Sequence, residues 1–247
     1  MKTKVLLVAI GILATALVAY SQPHNIKREK ERDDPRIQKS VREAKEKKHN
    51  KVVLAASGQG AAMVLGIDQA LQEHVAVIVT PIGHVAKVDR LGESIYSWYK
   101  FTVLESLCRP VPGGVVPEDV PSSLLPVRPG EVLAILPGGV LDVDGVRVEE
   151  LVTGLPFFED GKQYLLFLSF LGPRSFADRA FGKLTLGTVG VFSIAEDRLL
   201  PAAKGRNPLS VDLRDRFDSS LRVLRSYASA NCAHLKHAVN TANGENK

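Results

Sequence analysis

The residue types that most often bind metal ions cluster once, near the C-terminus. Cys232, His234 and His237 lie within six positions of one another, and the two histidines, three apart, share one face of a helix. Zinc takes at least three protein ligands, but Cys232 falls on an apolar helical stripe, which leaves two. We therefore predict no metal site and no cofactor, and we expect these histidines to be solvated.

A second acidic motif has the appearance of a calcium loop. The residues Asp142-x-Asp144-Gly145 match the start of such a loop, but Val146 and the positions after it cannot supply the oxygen ligands that calcium requires. An Asp-Gly pair also suits a tight turn with positive φ. We expect a hairpin turn here.

Carboxylates and a histidine could together form a hydrolytic site. Glu149 and Glu150 are adjacent, so on a strand their side chains point to opposite faces and cannot act as a pair. His84 follows an apolar run, and Glu105 or Glu149 could reach it only from another strand. An envelope hydrolase with a site assembled across strands is therefore the alternative function, and an enzyme is the less expected outcome.

The two cysteines, Cys108 and Cys232, are too few for a disulfide framework. In an oxidising compartment they could form a single disulfide that ties the β region to the C-terminal helix. They could equally be two separate buried side chains, because a free cysteine behaves as a small hydrophobic residue. Both alternatives stay open at this stage.

A proline-rich connection is the most prominent candidate for a binding surface. Residues 109–130 contain six of the fourteen prolines, and long connections without regular structure tend to be functional or mobile. We expect the contact surface to combine this loop with exposed aromatic side chains. The candidate binding residues are Tyr96, Trp98, Arg109 and Arg128.

The N-terminus has the layout of a secretory signal. Two lysines precede the uncharged, mostly apolar run Val5–Ala19, and small residues occupy the −3 and −1 positions before Gln22. Residues 1–21 are therefore interpreted as a signal peptide, and an exported protein, periplasmic or extracellular, is expected. Basic residues directly after the apolar run resist translocation, so an inner-membrane anchor formed by residues 5–20 is the alternative.

Residues 22–66 are interpreted as a charged spacer and flexible lead-in. Residues 23–51 hold eleven basic and six acidic side chains, whereas residues 52–247 hold 19 basic and 21 acidic ones. The folded part is thus near neutral, and no nucleic-acid partner is expected. A short solvated helix after Asp34-Pro35 is predicted. Residues 27–51 could make a weak contact with an anionic surface.

Residues 67–240 are predicted to form one domain. A two-turn helix over 67–74 precedes about seven short strands, several separated by turn signals such as Asp144-Gly145 and Asp160-Gly161. The absence of helices between the strands favours a mainly β fold, a small antiparallel barrel similar to the OB type. The first strand is predicted to stop at Gly83.

A C-terminal amphipathic helix is expected to pack on this barrel. Ser210 is a credible N-cap. Apolar residues follow it at intervals of three or four, which indicates a buried stripe. The stripe consists of Leu213, Phe217, Leu221, Leu224, Ala228, Cys232 and Leu235.

Three runs of residues support a resemblance over about residues 70–205. They are Ile95-Tyr96 with Tyr99-x-Phe101-x-Val103-x-Glu105, then Leu136-Pro137-Gly138-Gly139, then Gly154-x-Pro156-x-Phe158-x-x-Gly161-x-x-Tyr164. Together they resemble a loose group of exported bacterial proteins of unknown function, which have a small barrel of the OB or netrin-like type.

The resemblance implies a fold and carries over no catalytic residues. Netrin-like proteins usually contain several disulfides, and this chain has two cysteines, so a protease-inhibitor role is not implied. With no catalytic constellation in the sequence, the expected function is an exported, non-enzymatic binding or interaction module of the cell envelope. Its partner would be a protein or another envelope ligand.

Overall fold

A computed structural model describes residues 34–55, 66–89, 91–111, 116, 120–152, 157–171, 185–202 and 208–242. The chain divides into two units, Met1–Pro35 and Arg36–Lys247, and the elements named here belong to the second. In chain order they are α1 (Arg36–Glu46), β1 (Lys51–Ala55), α2 (Ile67–Glu73), β2 (Val75–Val88), β3 (Ile95–Ser106), a 3-10 turn (Ser122–Leu124), β4 (Glu131–Pro137), β5 (Gly139–Val143), β6 (Val146–Leu151), β7 (Gln163–Leu171), β8 (Thr185–Ala195), β9 (Arg198–Pro201), α3 (Pro208–Phe217) and α4 (Leu221–Ala242).

The prediction of a mainly β fold is confirmed. Six strands form a sheet in the order β4-β3-β2-β7-β8-β9, and β4 also pairs with β8 in parallel over two residue pairs. Strand β2 does not stop at Gly83, as its sequence predicted, but runs to Val88. The pairing of β2 with β3 shifts by one residue between Pro81 and Gly83. Such a bulge lets a long strand bend.

Two strands of this sheet are buried on both faces, which explains their nearly continuous apolar sequences. On β2, Val77 points into a cluster with Phe101, while its neighbour Ile78 points to the helices. Strand β7 follows the same rule, with Leu166 on one face and Phe167 on the other. This alternation follows from the two-residue period of a strand.

The helices cover one face of the sheet, as the amphipathic pattern predicted. The stripe residues from Leu213 to Ala228 are buried against α2 and the strands. The stripe spans two helices, however, because Asp218 and Ser219 adopt left-handed φ values of 49° and 54°. Since α3 begins at Pro208, the prediction of Ser210 as the N-cap is wrong. Among the described helices, none is long and apolar enough to cross a membrane.

A polar network joins α2, α3 and α4. Arg216 donates to Asp68 at 3.1 Å, and the Tyr227 hydroxyl donates to the same carboxylate at 2.5 Å. Asp212 accepts from Ile67 N at 2.7 Å, at the start of α2. Burial alone would raise the pKa of Asp68, but the hydrogen bonds from Tyr227 and Arg216 lower it below its usual value.

The interpretation of residues 36–55 as part of a solvated spacer is wrong. Helix α1 was predicted, but its residues Ile37, Val41 and Ala44 are buried and pack in the same cluster as Val146 and Val148 of β6. Strand β1 pairs with β6 in parallel. The second unit therefore begins at residue 36, and not at 67. The predicted contact of residues 27–51 with an anionic surface stays a prediction.

The local turn predictions are confirmed. Asp144 and Gly145 have φ values of 51° and 78° and join β5 to β6, as a tight hairpin with positive φ requires. Gly161, with φ 77°, stands in the turn before β7. The Asp142-x-Asp144 motif is therefore part of a hairpin.

The buried imidazole of His74 predicts a pH-dependent stability. His74 is 8% exposed, and its Nδ1 atom has no hydrogen-bond partner. Burial lowers the pKa of His74 from 6.5; the charge of Arg109 lowers it too, and that of Glu73 opposes this. The unfolded chain thus takes up a proton at a higher pH than the native chain, and protonation favours unfolding.

We expect the free energy of unfolding to fall as the pH decreases from about 7 to about 5. A His74→Phe variant should lose this dependence, as measured by urea unfolding at several pH values. The pKa values of Asp68 and Asp197 are lowered, so their contributions to the free energy of unfolding change at a more acidic pH. Equal pH slopes for wild type and variant would contradict the prediction.

Candidate functional site

A shallow groove lies where the three-stranded sheet, of order β1-β6-β5, meets the larger sheet. Its enclosed volume is about 20 Å³, enough for a water molecule. Small-molecule sites usually enclose about 300–1,000 Å³, so the groove is too shallow to hold a whole ligand. It is lined by Tyr99, Leu136, Pro137, Gly138, Gly139, Glu150, Leu151, Val152 and Phe157.

A buried carboxylate forms one wall of the groove. The side chain of Glu150 is 1% exposed and accepts a hydrogen bond from Ile95 N through Oε2. Its other oxygen accepts from Arg36, at 3.2 Å. Arg36 also donates to Ala55 O, at 2.7 Å. The pair therefore connects α1, β1, β3 and β6 behind the groove.

Two glycines form the corner between β4 and β5, where the chain passes from one sheet to the other. Gly138 has a φ of 85°, and a Cβ atom there would lie 2.7 Å from Glu150 O. At Gly139 a Cβ atom would collide with Ser97 Oγ. At both positions the backbone lies too close to neighbouring atoms for any side chain, which explains why residues 138 and 139 are both glycine.

Aromatic rings form the floor of the groove and continue into the core. Tyr99 makes an edge contact with Phe158, centroids 4.8 Å apart, and Phe158 makes another with Tyr164 at 4.7 Å. The exposed imidazole of His84 stacks on Tyr99 at 5.3 Å. Burial raises the pKa of Tyr99 above its usual value.

The outer face of the three-stranded sheet exposes Val53 and Leu151, and the connection between β6 and β7 exposes Phe157; we name these three residues the sheet-face patch. Their exposed fractions are 53%, 45% and 47%. The parallel register pairs Ala55 with Leu151, which places Val53 and Leu151 on the same face, and Leu151 and Phe157 both line the groove. Val53 itself pairs with Glu149, so the patch is a group of apolar side chains beside a charged one. Grouped exposed apolar side chains are typical of interaction sites.

The prediction that Trp98 is an exposed contact residue is wrong. Trp98 is 0% exposed and packs with Leu124, Leu133 and Ile135. The sequence indicated a strand with bulky residues on both faces, but the cover on this face comes from the proline-rich connection. Residues 120–128 of that connection, here named the strap, lie over Trp98.

Of the other three predicted binding residues, Tyr96 alone packs against the Trp98 cluster. Tyr96 is half-buried and packs at the border of the Trp98 cluster. Arg128 is exposed at the end of the strap, where its backbone N–H donates to Glu131 at 2.7 Å. Arg109 is half-buried and follows Cys108, beside His74. Residues 112–115 and 117–119 of the predicted loop lie outside the described residues.

The hydrolase alternative loses its proposed histidine–carboxylate pair. His84 pairs with Tyr99, and Glu105 stands six residues further along β3, which is about 20 Å along a strand. Glu105 instead forms an ion pair with Arg225 at 2.6 Å. Glu149 bonds to Lys51 and Arg147, both at 2.8 Å.

Within the described part of the chain, no group of three His, Cys, Asp or Glu residues could hold a metal ion. The side chains of His234 and His237 lie outside that part. Cys232 is joined to Cys108 by a disulfide, with Cα atoms 5.4 Å apart. The bond links the end of β3 to α4, one of the two arrangements that the sequence left open.

Sequence reasoning missed the sheet-face patch. Val53 lies within residues 22–66, which the sequence predicts to be a spacer and lead-in, because the parallel pairing between β1 and β6 leaves no local signal. The short β-branched run Val52-Val53 is the one local sign of a strand there. Comparisons of this chain with protein-family models, with curated proteins and with solved structures found no match.

Proposed function

We propose that the protein is an exported, non-enzymatic interaction module that binds another protein through the sheet-face patch. The observation that carries the proposal is the exposure of Val53, Leu151 and Phe157, each about half accessible, beside a shallow groove. Burying the exposed half of each side chain in an interface would contribute about 0.8–1.5 kcal/mol.

We infer further that β4, β3, β2, β7 and β8 form a small barrel of the OB type. The pairing of β4 with β8 joins the two ends of that five-strand order. OB folds bind ligands on their second and third strands, which here are β3 and β4. The strap covers that face at Trp98. The three-stranded sheet, two strands of which lie between β4 and β7 in the chain, is therefore the better candidate for the binding surface.

Two observations support export. The Cys108–Cys232 disulfide is of a kind that persists in oxidising compartments and is rare in the cytosol. The signal-like residues 1–21, which lie outside the described residues, fit the same location. An intact mass that begins at Gln22 in the exported fraction of the native host would test this part of the proposal.

Substitution of the patch should weaken binding of its partner. We expect Phe157→Ser and Val53→Ser each to lower the affinity about three- to tenfold, because each removes an apolar contact of about 0.8–1.5 kcal/mol. A photoreactive amino acid at position 157 would identify the partner in envelope fractions. Titration of the purified partner with each variant then measures the affinity.

Leu200 provides a matched control, because it is 47% exposed but lies on β9. Leu200→Ser should leave the affinity unchanged, and a photoreactive group there should not give the same crosslink. Wild-type affinity in both patch variants, or an equal loss in Leu200→Ser, would show that the partner binds elsewhere and that the proposal is wrong.

A further inference from the structure

The strap covers an apolar area on the outer side of β3 and β4. Its central residue, Leu124, is 5% exposed and packs in one cluster with Trp98, Leu133 and Ile135. Val120 and Val127, near the two ends of the strap, pack against the same cluster. A segment of this chain thus lies on the sheet as a bound peptide would.

One polar atom beneath the strap has no partner. Trp98 Nε1 is buried without a hydrogen bond, although buried indole N–H groups normally have an acceptor. The strap's packing side chains in this cluster are the apolar Val120, Leu124 and Val127. An occupant that offered an acceptor at this point would bind the face better than the strap does.

The turn at the centre of the strap is closed by backbone hydrogen bonds within the strap itself, whereas Arg128 at its end bonds to Glu131 of β4. Leu124 N donates to Pro121 O at 2.9 Å and Leu125 N to Ser122 O at 3.1 Å, which closes a turn within the strap. From the sheet, Lys100 Nζ donates to Pro126 O at 2.7 Å. Proline itself has no N–H to satisfy. Displacement of the strap would therefore leave this internal turn intact.

We propose that the strap occupies a peptide-binding site, and that a proline-containing segment of a partner protein replaces it. The strap shows the chemistry that the site accepts: an apolar side chain over the indole, a carbonyl oxygen for Lys100, and prolines that limit the conformations of the free peptide. The incoming segment would add the acceptor for Trp98 Nε1. This site is distinct from the sheet-face patch and does not depend on it.

Trp98 is the single tryptophan of the chain, so its fluorescence shows directly whether the strap lies over it. In Leu124→Ser, which removes the apolar contact, we expect a red-shifted emission and a higher acrylamide quenching constant. A synthetic peptide with the sequence of residues 120–128 should reverse both changes in a saturable way. Wild type, whose own strap competes with the peptide, should bind it at least about tenfold more weakly than Leu124→Ser does.

Leu125→Ser is the matched control, because Leu125 is the neighbouring strap residue and is 43% exposed. It should leave the emission unchanged, and a scrambled peptide should not bind Leu124→Ser. A second variant replaces residues 120–128 by a glycine–serine sequence and should bind the peptide as Leu124→Ser does. The proposal would be overturned if the emission of Leu124→Ser and of the glycine–serine variant did not shift, or if the peptide failed to bind them. It would also be overturned if both variants lost their cooperative thermal transition, because the strap would then be part of the core.

Discussion

Replacement of Cys232 by serine should lower the free energy of unfolding by about 4–5 kcal/mol, because the disulfide with Cys108 spans 124 residues. A cross-link over so long a loop removes much of the conformational freedom of the unfolded chain. Single domains have stabilities of about 5–15 kcal/mol, so this one bond would supply a large part of the total. Urea unfolding without reductant measures the difference.

Two controls separate the covalent bond from the packing of Cys232 on α4. The double variant Cys108→Ser/Cys232→Ser should have the stability of the single variant, and wild type with reductant should approach it. A loss below about 1 kcal/mol in the single variant would contradict the prediction, since surface substitutions alone usually stay within about 0.5 kcal/mol.

The Glu150→Ala substitution should destabilise the chain by about 2–4 kcal/mol, because it removes the buried member of an ion pair whose other member, Arg36, is 34% exposed. The Glu150 side chain is 1% exposed. Its loss would leave the Arg36 guanidinium and the Ile95 N–H without the acceptor that they share. Chemical denaturation at pH 7 measures the change.

Glu149→Ala is the matched control, because it removes the neighbouring carboxylate on the opposite face of the same strand. Glu149 bonds to Lys51 and Arg147, whose side chains are 49% and 58% exposed. Solvated partners recover their hydration when the carboxylate is removed, so we expect a much smaller loss. Equal destabilisation by the two substitutions would show that Glu150 has no special structural role.

The features that could be predicted from sequence are those with a local cause. The Asp144-Gly145 hairpin follows from two residues that tolerate positive φ, and it is found where expected. The apolar stripe of the C-terminal helices is likewise set by a period of about four residues. The stripe did not reveal the break at Asp218 and Ser219, because an apolar pattern can continue across two helices.

The features that could not be predicted depend on contacts between distant residues. Helix α1 has three buried apolar residues among eight others, so its sequence resembles a solvated helix until β6 is placed beneath it. The sequence predicts Trp98 to be an exposed contact residue because nothing near it shows that residues 120–128 fold back over it. The same limit applies to the sheet-face patch, since Val53 and Leu151 share a face only through the pairing of β1 with β6.

That pairing also has a consequence for the order of folding. Lys51 pairs with Arg147, 96 positions further along the chain. A ribosome adds about 5–20 residues per second, so β1 waits about 5–20 s for its partner strand. During that interval Val52, Val53 and Leu54 are an apolar segment with open strand edges, a form that aggregates readily. The nascent chain therefore has the properties of a chaperone substrate until β6 is complete.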